Sequence, residues 1–327
     1  MIFHYTNDTN FCRIQSERKL SLTKSTSSND EYDTVYLQQL LIENSRIIFS
    51  EIFKKKELKE TFNPNSIDGF VGLINLLLEK NIEDIKHNHS VSAKFRKCFV
   101  ICFTSRTDSR FLWETYAGDK GINFGVDLIK FKKFVLENYD DLKNDIVDLR
   151  FDKVIYDSDE QINMLKKISR KVFFRTYVNT EELSDNSQIF QGIIDWTNGT
   201  TDVIHTSFLN PIQVTIKQWI FNFVREYVNE LLLLAPFFKH SYWKEEEEYR
   251  MCVYRPQYDN NLSKVHSFER EKTKEIVDYI EIPLPYDLVE KITIGPLSKY
   301  IDSFHTLNIS NENITVKKSS GYGIKRY

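Results

Sequence analysis

Segments with the patterns of β-strands lie near both ends of this 327-residue chain, and the pattern between them is mainly helical. Period-two alternation or a short apolar run is typical of a strand, whereas apolar residues three and four apart indicate an amphipathic helix. No internal repeat and no Pro- or Gly-rich linker separates these segments. We therefore predict a single α+β domain, residues 1–327, with a mostly antiparallel sheet built from both chain ends and a helical insertion at about residues 128–240.

Local patterns predict the individual elements. Strands are expected at residues 2–6, 97–104, 122–126, 279–284, 292–296 and 314–317. Helices are expected around residues 11–15, at 31–53, from 67 to 78, at 108–116 and at 214–234. In the helix at 108–116, the three-residue spacing of Trp113 and Tyr116 predicts that both side chains lie on one face.

The overall charge excludes a binding mode driven by the field of the whole protein. Lys and Arg number 44 against 47 Asp and Glu, which gives a net charge of −3. Such a balance does not draw a chain onto nucleic acid or anionic lipid. Any polyanion would have to meet local basic clusters, which more commonly are solvated surfaces; these clusters are Lys54–Lys56, Lys94/Arg96/Lys97, Lys130/Lys132/Lys133, Lys317–Lys318 and Lys325–Arg326.

The cysteines and the chain start indicate a soluble cytoplasmic protein. Cys12, Cys98, Cys102 and Cys252 form no CxxC pair and have no histidine cluster nearby, so we expect buried free thiols in a reducing compartment. The first residues lack the pattern of a signal peptide, and no apolar stretch is long enough to span a bilayer. The segment containing His87 and His89 is predicted to be a loop, and no metal site is expected.

An acidic run before an apolar strand is the strongest indication of function. Trp243-Lys244-Glu245-Glu246-Glu247-Glu248-Tyr249-Arg250 is followed at once by apolar residues. If the strand began within this run, alternation would place Glu246, Glu248 and Arg250 on one face. Two adjacent carboxylates with an arginine behind them can stabilise a developing positive charge. A solvated acidic loop before an ordinary strand is the alternative interpretation.

Several short motifs, taken together, resemble a widespread bacterial family of unknown function. The motifs are Phe3-His4-Tyr5-Thr6, Asn29-Asp30, Cys102-Phe103-Thr104, Trp113-x-x-Tyr116-Ala117, Trp243-x-x-Glu246-x-Glu248-Tyr249-Arg250 and Ile294-Gly295-Pro296. The resemblance covers most of the chain, but residues 125–239 and 255–278 match poorly.

The order of His4, Tyr116 and Glu248 is also similar to that of the ADP-ribosyltransferase fold, in the branch that uses a His, a Tyr and a Glu. This second resemblance implies a split sheet, NAD as co-substrate without a metal, and a pocket formed by these residues. It implies that Glu248 is catalytic and that Tyr116 stacks on nicotinamide. The family's tyrosine usually lies on a strand, whereas Tyr116 lies at the end of a predicted helix. Tyr5, Tyr32 and Phe124 are therefore alternatives for the stacking role.

The chemistry of NAD cleavage assigns roles to the remaining residues. Breaking the nicotinamide–ribose bond passes through an oxocarbenium-like cation, which a fixed carboxylate stabilises. Glu248 is expected to do this, and Glu246 to orient the acceptor or act as its general base. His4 is expected to donate a ring N–H to the adenosine ribose, with help from Thr6 on the same face. Arg250 is expected to pair with Glu248 or with the pyrophosphate.

The resemblance therefore predicts a mono-ADP-ribosyltransferase, a bacterial toxin or phage-defence effector that modifies RNA, DNA or protein and is held in check by an antitoxin or inhibitor protein. Two other classes stay open. A catalytically silent binding module of the same fold would bind NAD or a partner without needing Glu248, and a nuclease using Glu246 and Glu248 would require a divalent metal.

Overall fold

The computed structural model describes residues 1–25, 32–52, 71–72, 74–75, 97–118, 120–138, 148–178, 211–255, 265–270, 274–298 and 314–320. The chain divides into two compact units. One comprises Met1–Glu31, Phe95–Val154 and Tyr242–Tyr327 and contains the sheet; the other comprises Tyr32–Lys94 and Ile155–Ser241 and is helical. The single domain expected from the sequence stays a prediction.

The sheet unit contains ten strands among the described residues. They are β1 (Ile2–Thr6), β2 (Lys19–Lys24), β3 (Lys97–Thr104), β4 (Ile122–Val126), β5 (Asp148–Lys153), β6 (Glu248–Arg255), β7 (His266–Glu269), β8 (Ile276–Pro283), β9 (Val289–Ile294) and β10 (Thr315–Lys318). Every pairing between them is antiparallel except that of β9 with β10. The predicted mixed fold with a mostly antiparallel sheet from both chain ends is confirmed.

The sheet branches at β3. One edge of β3 pairs with β6 over its full length, from Lys97 opposite Arg255 to Thr104 opposite Glu248. β1 and β2 therefore share the other edge, where β2 pairs at Phe99 and Val100 and β1 pairs at Thr104 alone. From there β1 leads to β4, β9 and β10, whereas β2 leads to β8 and β7. The short stretch of β3 between these two pairings is not covered by a backbone ladder.

The helices of the sheet unit pack against two separate clusters of its apolar residues. α1 (Asp8–Glu17) begins with an Asn7 cap and buries Phe11 and Ile14, as the sequence predicts. Arg110–Leu112 (α3) continues directly into a π-helix at Trp113–Ala117. α4 (Leu128–Asn138) packs Phe131 and Val135 into the core that also contains Phe103 and Phe151.

In the described part of the helical unit the long helices are α2 (Tyr32–Ser50), α5 (Ser158–Val178) and α6 (Pro211–Leu234). The helix predicted at 214–234 is confirmed as α6, and five of its apolar side chains are buried, namely Phe223, Val224, Tyr227, Val228 and Leu231. No described helix has the length and apolar character needed to cross a membrane.

Two segments differ from the sequence-based expectation. The stretch predicted as a mainly helical insertion, 128–240, contains strand β5, which pairs with β6 and belongs with α4 to the sheet unit. β7 was not expected from the sequence, because its stretch of the chain is polar and lacks apolar alternation. All four of its residues are exposed. The Asn29-Asp30 and His87/His89 segments and most of the 67–78 helix lie outside the described residues.

Asp108 joins the chain end to the segment that follows β3. Its two carboxylate oxygens accept hydrogen bonds from the Trp113 indole (2.7 Å), the Ser319 hydroxyl (2.7 Å), and the backbone N–H and hydroxyl of Ser320 (2.8 Å each). Burial alone would raise the pKa of Asp108, but these hydrogen bonds outweigh it and lower the pKa below 3.8. Asp108 thereby fixes Trp113, the first residue of the π-helix.

The buried hydroxyl of Tyr227 generates a stability prediction. Tyr227 packs between Phe49 and Phe223, and its hydroxyl has no hydrogen-bond partner among the described residues. Tyr227→Phe should raise the free energy of unfolding by about 1 kcal/mol, because an unsatisfied buried polar group is removed. As a matched control, Tyr36→Phe should lower it by about 1 kcal/mol, since the Tyr36 hydroxyl donates to Gln161 at 2.7 Å. Denaturant titration followed by circular dichroism measures both; a loss of stability in Tyr227→Phe would contradict the assignment.

Asp108 generates a prediction about pH. A carboxyl whose pKa is lowered in the folded state stabilises the fold above its unfolded pKa, and this contribution is lost as pH falls through the lowered value. Asp108→Asn should therefore cost about 1–2 kcal/mol at neutral pH, and the gap from the wild type should close below pH 3.8. Thermal melts of the two proteins across this range measure the gap. A gap that is constant down to the lowest pH would show that the charge of Asp108 does not stabilise the fold.

Candidate active site

A small cavity lies where the sheet branches. Its volume is about 80 Å³, and it is lined by residues from β1, β3, the α3/π-helix segment and the entrance to β6, namely Phe3, His4, Tyr5, Cys102, Phe103, Thr104, Leu112, Tyr116, Glu246 and Glu248. The cavity thus brings together His4, Tyr5, Tyr116, Glu246 and Glu248 from the predicted site residues. Thr6 and Arg250 do not line it.

The two glutamates reach the cavity through a local turn. A 3₁₀-helix spans Ser241–Glu246, Glu247 has a positive φ of 45°, and β6 begins only at Glu248. The expectation that Glu246 lies on the strand with Glu248 is therefore wrong. The reversal at Glu247 ends the 3₁₀-helix and starts the strand, and it leaves both Glu246 and Glu248 buried beside the same cavity.

Glu247 itself holds this turn in place. Its carboxylate accepts hydrogen bonds from the Ser105 hydroxyl and from Arg106 Nε (3.1 Å), and the Thr104 hydroxyl donates to the Glu246 carbonyl at 2.5 Å. The hydrogen bond from Ser105, followed by the contacts with Arg106, lowers the pKa of Glu247. Sequence reasoning missed this role. The signal available was the polar Thr104-Ser105-Arg106 sequence directly after an apolar strand.

Glu248 and Arg250 form a buried, two-point ion pair. Arg250 Nε donates to Glu248 Oε1 and its Nη2 donates to Oε2, both at 2.9 Å, and both side chains are about 5% exposed. Of the two partners predicted for Arg250, the structure shows Glu248. An ionised carboxylate offers about four acceptor positions, which is more than these two bonds use. Arg250 therefore orients the buried carboxylate and balances its charge.

Glu246 is bound to Tyr116. The Tyr116 hydroxyl donates to Glu246 Oε1 at 2.5 Å, although 43% of the residue is exposed. Burial of the phenol, together with the negative charge of Glu246, raises the pKa of Tyr116, so the hydroxyl stays protonated as a donor. Tyr116 and Trp113 do not share a face as predicted, because Trp113 is fully buried. The cause is the π-helix, whose wider turn changes which residues lie on the same face of the helix.

His4 fills the gap beside the uncovered stretch of β3. Its Nδ1 lies 2.8 Å from the Cys102 carbonyl oxygen, and since a carbonyl only accepts, Nδ1 carries the proton. Burial lowers the pKa of His4, so the ring is neutral near pH 7 and Nε2 is an acceptor. The ring N–H that was expected to donate to a ligand is bound to the Cys102 carbonyl. The ring packs against Phe103 and Phe124, with centroids 5.7 and 5.4 Å apart.

The alternatives for the stacking residue have other contacts. The Tyr5 hydroxyl donates to the Arg106 carbonyl (3.1 Å) and accepts from the Ser109 N–H (3.0 Å), while its ring packs on Trp113. Phe124 packs on His4 and is buried. The side chain of Tyr32 lies outside the described residues. Tyr116 is therefore the aromatic side chain of this group that is both exposed and bound to a site glutamate.

The charges around the cavity favour a cationic group. With His4 and Tyr116 neutral, Glu246 and Glu248 contribute two negative charges and Arg250 one positive charge if both acids are ionised. The volume is well below the roughly 300–1,000 Å³ of typical ligand sites, so the cavity encloses one ring or one sugar and not a whole dinucleotide.

Comparison with known proteins supplies a partial match. The model of a family described as a protein of unknown function, DUF2971, matches residues 112–251. The matched range contains Tyr116, Glu246, Glu248 and Arg250 but not His4, Tyr5 or Thr6. Neither the curated proteins nor the solved structures contain a match to this chain. The chain is thus similar, over residues 112–251, to a family of unknown function, as its residue pattern indicates.

Proposed function

We propose that this chain is an NAD-dependent ADP-ribosyltransferase whose reacting carboxylate is Glu248. The observation that carries the proposal is the convergence of His4, Tyr116, Glu246 and Glu248, which come from three distant parts of the sequence, on one cavity. The packing of the fold alone does not require two buried carboxylates, a neutral imidazole and a phenol around the same space.

The branch in the sheet supports the same proposal. The resemblance to ADP-ribosyltransferases implies a split sheet, and here β1 and β2 separate along β3, with the cavity beside Cys102 and Thr104. The small volume restricts the enclosed part of NAD to its reacting end. In this arrangement the ribose lies in the cavity beside Glu248, the nicotinamide ring lies at its mouth against the half-exposed Tyr116, and the remainder of NAD stays outside.

Glu248 acts on the bond that breaks. As the bond between ribose C1′ and the nicotinamide nitrogen lengthens, its electron pair moves to nicotinamide, which leaves neutral, and positive charge develops on the ribose. A fixed carboxylate stabilises this charge mainly in the transition state. Arg250 supplies the fixation through its two 2.9 Å hydrogen bonds, while Glu248 can also accept a hydrogen bond from a ribose hydroxyl.

Glu246 and His4 act on the groups around the reacting sugar. The acceptor's nucleophilic atom bonds to C1′, and Glu246 is placed to take the proton that the acceptor releases. Its hydrogen bond from Tyr116 orients it for this role. His4 Nε2 accepts from a hydroxyl of the co-substrate, because its Nδ1–H is already bound to Cys102.

The two other classes are less well supported by the geometry. A metal-dependent nuclease would place a divalent cation between Glu246 and Glu248, but the guanidinium of Arg250 already binds both oxygens of Glu248 and would repel that cation. A silent binding module would need no buried acid poised beside its ligand. The proposed acceptors (RNA, DNA or protein), the role as a toxin or phage-defence effector and an inhibitor partner follow from the resemblance.

Release of nicotinamide from NAD tests the proposal. The wild-type protein should release nicotinamide, alone or with RNA, DNA or cell lysate as the acceptor source. Glu248→Gln should lower this rate by about 10²–10³, because it removes the charge that stabilises the transition state. Liquid chromatography of the reaction measures the product, and circular dichroism confirms that the variant is folded.

A surface variant provides the matched control for this experiment. Glu281→Gln alters a glutamate that pairs with Lys19 at 2.9 Å outside the cavity, and it should keep the wild-type rate. Nicotinamide release at an equal rate in wild type and Glu248→Gln, or no release with any acceptor source, would exclude the proposed reaction.

The pKa of His4 generates a prediction about pH. Since burial lowers this pKa below 6.5, activity should be level through neutral pH and should fall only in acid, where Nε2 becomes protonated and can no longer accept. His4→Asn keeps a donor for the Cys102 carbonyl but has no titrating group, so its profile should lack this acid limb. Initial rates measured against pH decide the matter. An acid limb with its midpoint above 6.5, or identical profiles for the two proteins, would contradict the assignment of His4.

A further inference from the structure

The outer side of α4 carries apolar residues that the core does not use. Phe131 and Val135 of this helix are buried against the sheet, but Ile129 is 77% exposed and Leu136 is 53% exposed. Positions 129, 132, 133 and 136 are three or four residues apart and share one face of the helix. This face is therefore amphipathic in its own right, with apolar and cationic residues side by side.

A groove runs between this helix face and the ends of β5 and β6. Its volume is about 640 Å³, within the range of roughly 300–1,000 Å³ that is typical of small-molecule sites. Phe151, Lys153 and Tyr249 line the side opposite the helix. All of these lining residues belong to the sheet unit.

The groove and the candidate active site lie on opposite faces of the sheet. Tyr249 faces the groove, whereas its neighbour Glu248 faces the small cavity, as alternation along β6 requires. The two sites share no lining residue. An inference about the groove is therefore independent of the proposed transferase activity.

The charges that face the groove are mainly positive. Lys132 and Lys133 extend from α4, and Lys153 lies opposite Tyr249 on the same face of the sheet. Glu137, the acidic residue on this helix flank, lies 3.8 Å from Lys133. Asp152 also lines the groove and contributes a second negative charge. The groove thus combines an apolar floor with three lysines and two acids, which leaves an excess of one positive charge.

We propose that this groove binds an anionic amphiphile, a free molecule with an unbranched apolar chain and a carboxylate head. The apolar chain would cover Ile129, Leu136 and Phe151, and the head would be held by Lys132 and Lys153. A groove whose volume lies in the range of small-molecule sites favours a single small molecule over a membrane surface.

Titration with dodecanoate below its micellar concentration tests this assignment. Calorimetry should show saturable binding with one molecule per chain, and dodecyltrimethylammonium, which has the same chain and a cationic head, should bind at least about tenfold more weakly. Leu136→Asp should weaken dodecanoate binding by about tenfold or more, since it places a like charge and a polar group in the groove. Lys153→Met should weaken it severalfold.

Two matched variants separate specific from general effects. Ile47→Asp alters a residue of α2 that is also 53% exposed but does not line the groove, and Lys120→Met removes an exposed lysine elsewhere; both should bind like the wild type. The proposal is overturned by the absence of saturable binding, by equal affinity for the cationic amphiphile, or by equal weakening in Ile47→Asp. Binding to phosphatidylglycerol vesicles without binding of monomeric dodecanoate would also overturn it and would indicate a membrane surface instead.

Discussion

The buried ion pair between Glu248 and Arg250 is the interaction on which the candidate active site depends. Removing one partner of such a pair typically costs about 3–5 kcal/mol, because the other charge is left uncompensated. A carboxylate this far from water is retained only with a partner that keeps it charged and fixed. Here the partner stands two positions along the same strand, so β6 alone determines the geometry of the pair.

The branching of the sheet provides the space that this carboxylate needs. β6 covers one edge of β3 completely, but β1 and β2 leave the Cys102 region of the other edge uncovered. The Cys102 carbonyl is satisfied by a side chain, that of His4, instead of by a neighbouring strand. The uncovered stretch of β3 thereby forms a polar wall of the cavity. The same contact places the proton of His4 on Nδ1.

Much of this arrangement could be predicted from the sequence, because strand alternation and helix periodicity are local signals. β1, β3 and β4 lie where the apolar patterns place them, and Glu246, Glu248, Tyr116 and His4 meet around one cavity. The left-handed turn at Glu247 could not be predicted, since it depends on Ser105 and Arg106, some 140 positions away in the chain. The π-helix depends in the same way on the contacts that hold Trp113 to Asp108 and Tyr5.

β5 and the role of Asp108 were also beyond sequence reasoning. β5 carries charged residues at most positions, and it forms a strand because β6 offers it an open edge. Asp108 has an ordinary loop sequence around it, and its partners Ser319 and Ser320 lie more than 200 positions away. Contacts of such long sequence separation leave no local pattern. They decide how the π-helix is anchored, and hence where Tyr116 meets Glu246.

A crystal structure of the protein with an uncleavable NAD analogue bound tests the central claim most directly. The account predicts that the nicotinamide-bearing ribose lies within hydrogen-bond distance of Glu248, that Arg250 still binds both oxygens of that carboxylate, and that His4 Nε2 faces a hydroxyl of the ligand. An analogue bound elsewhere, or bound at the cavity with its ribose away from Glu248, would contradict the account.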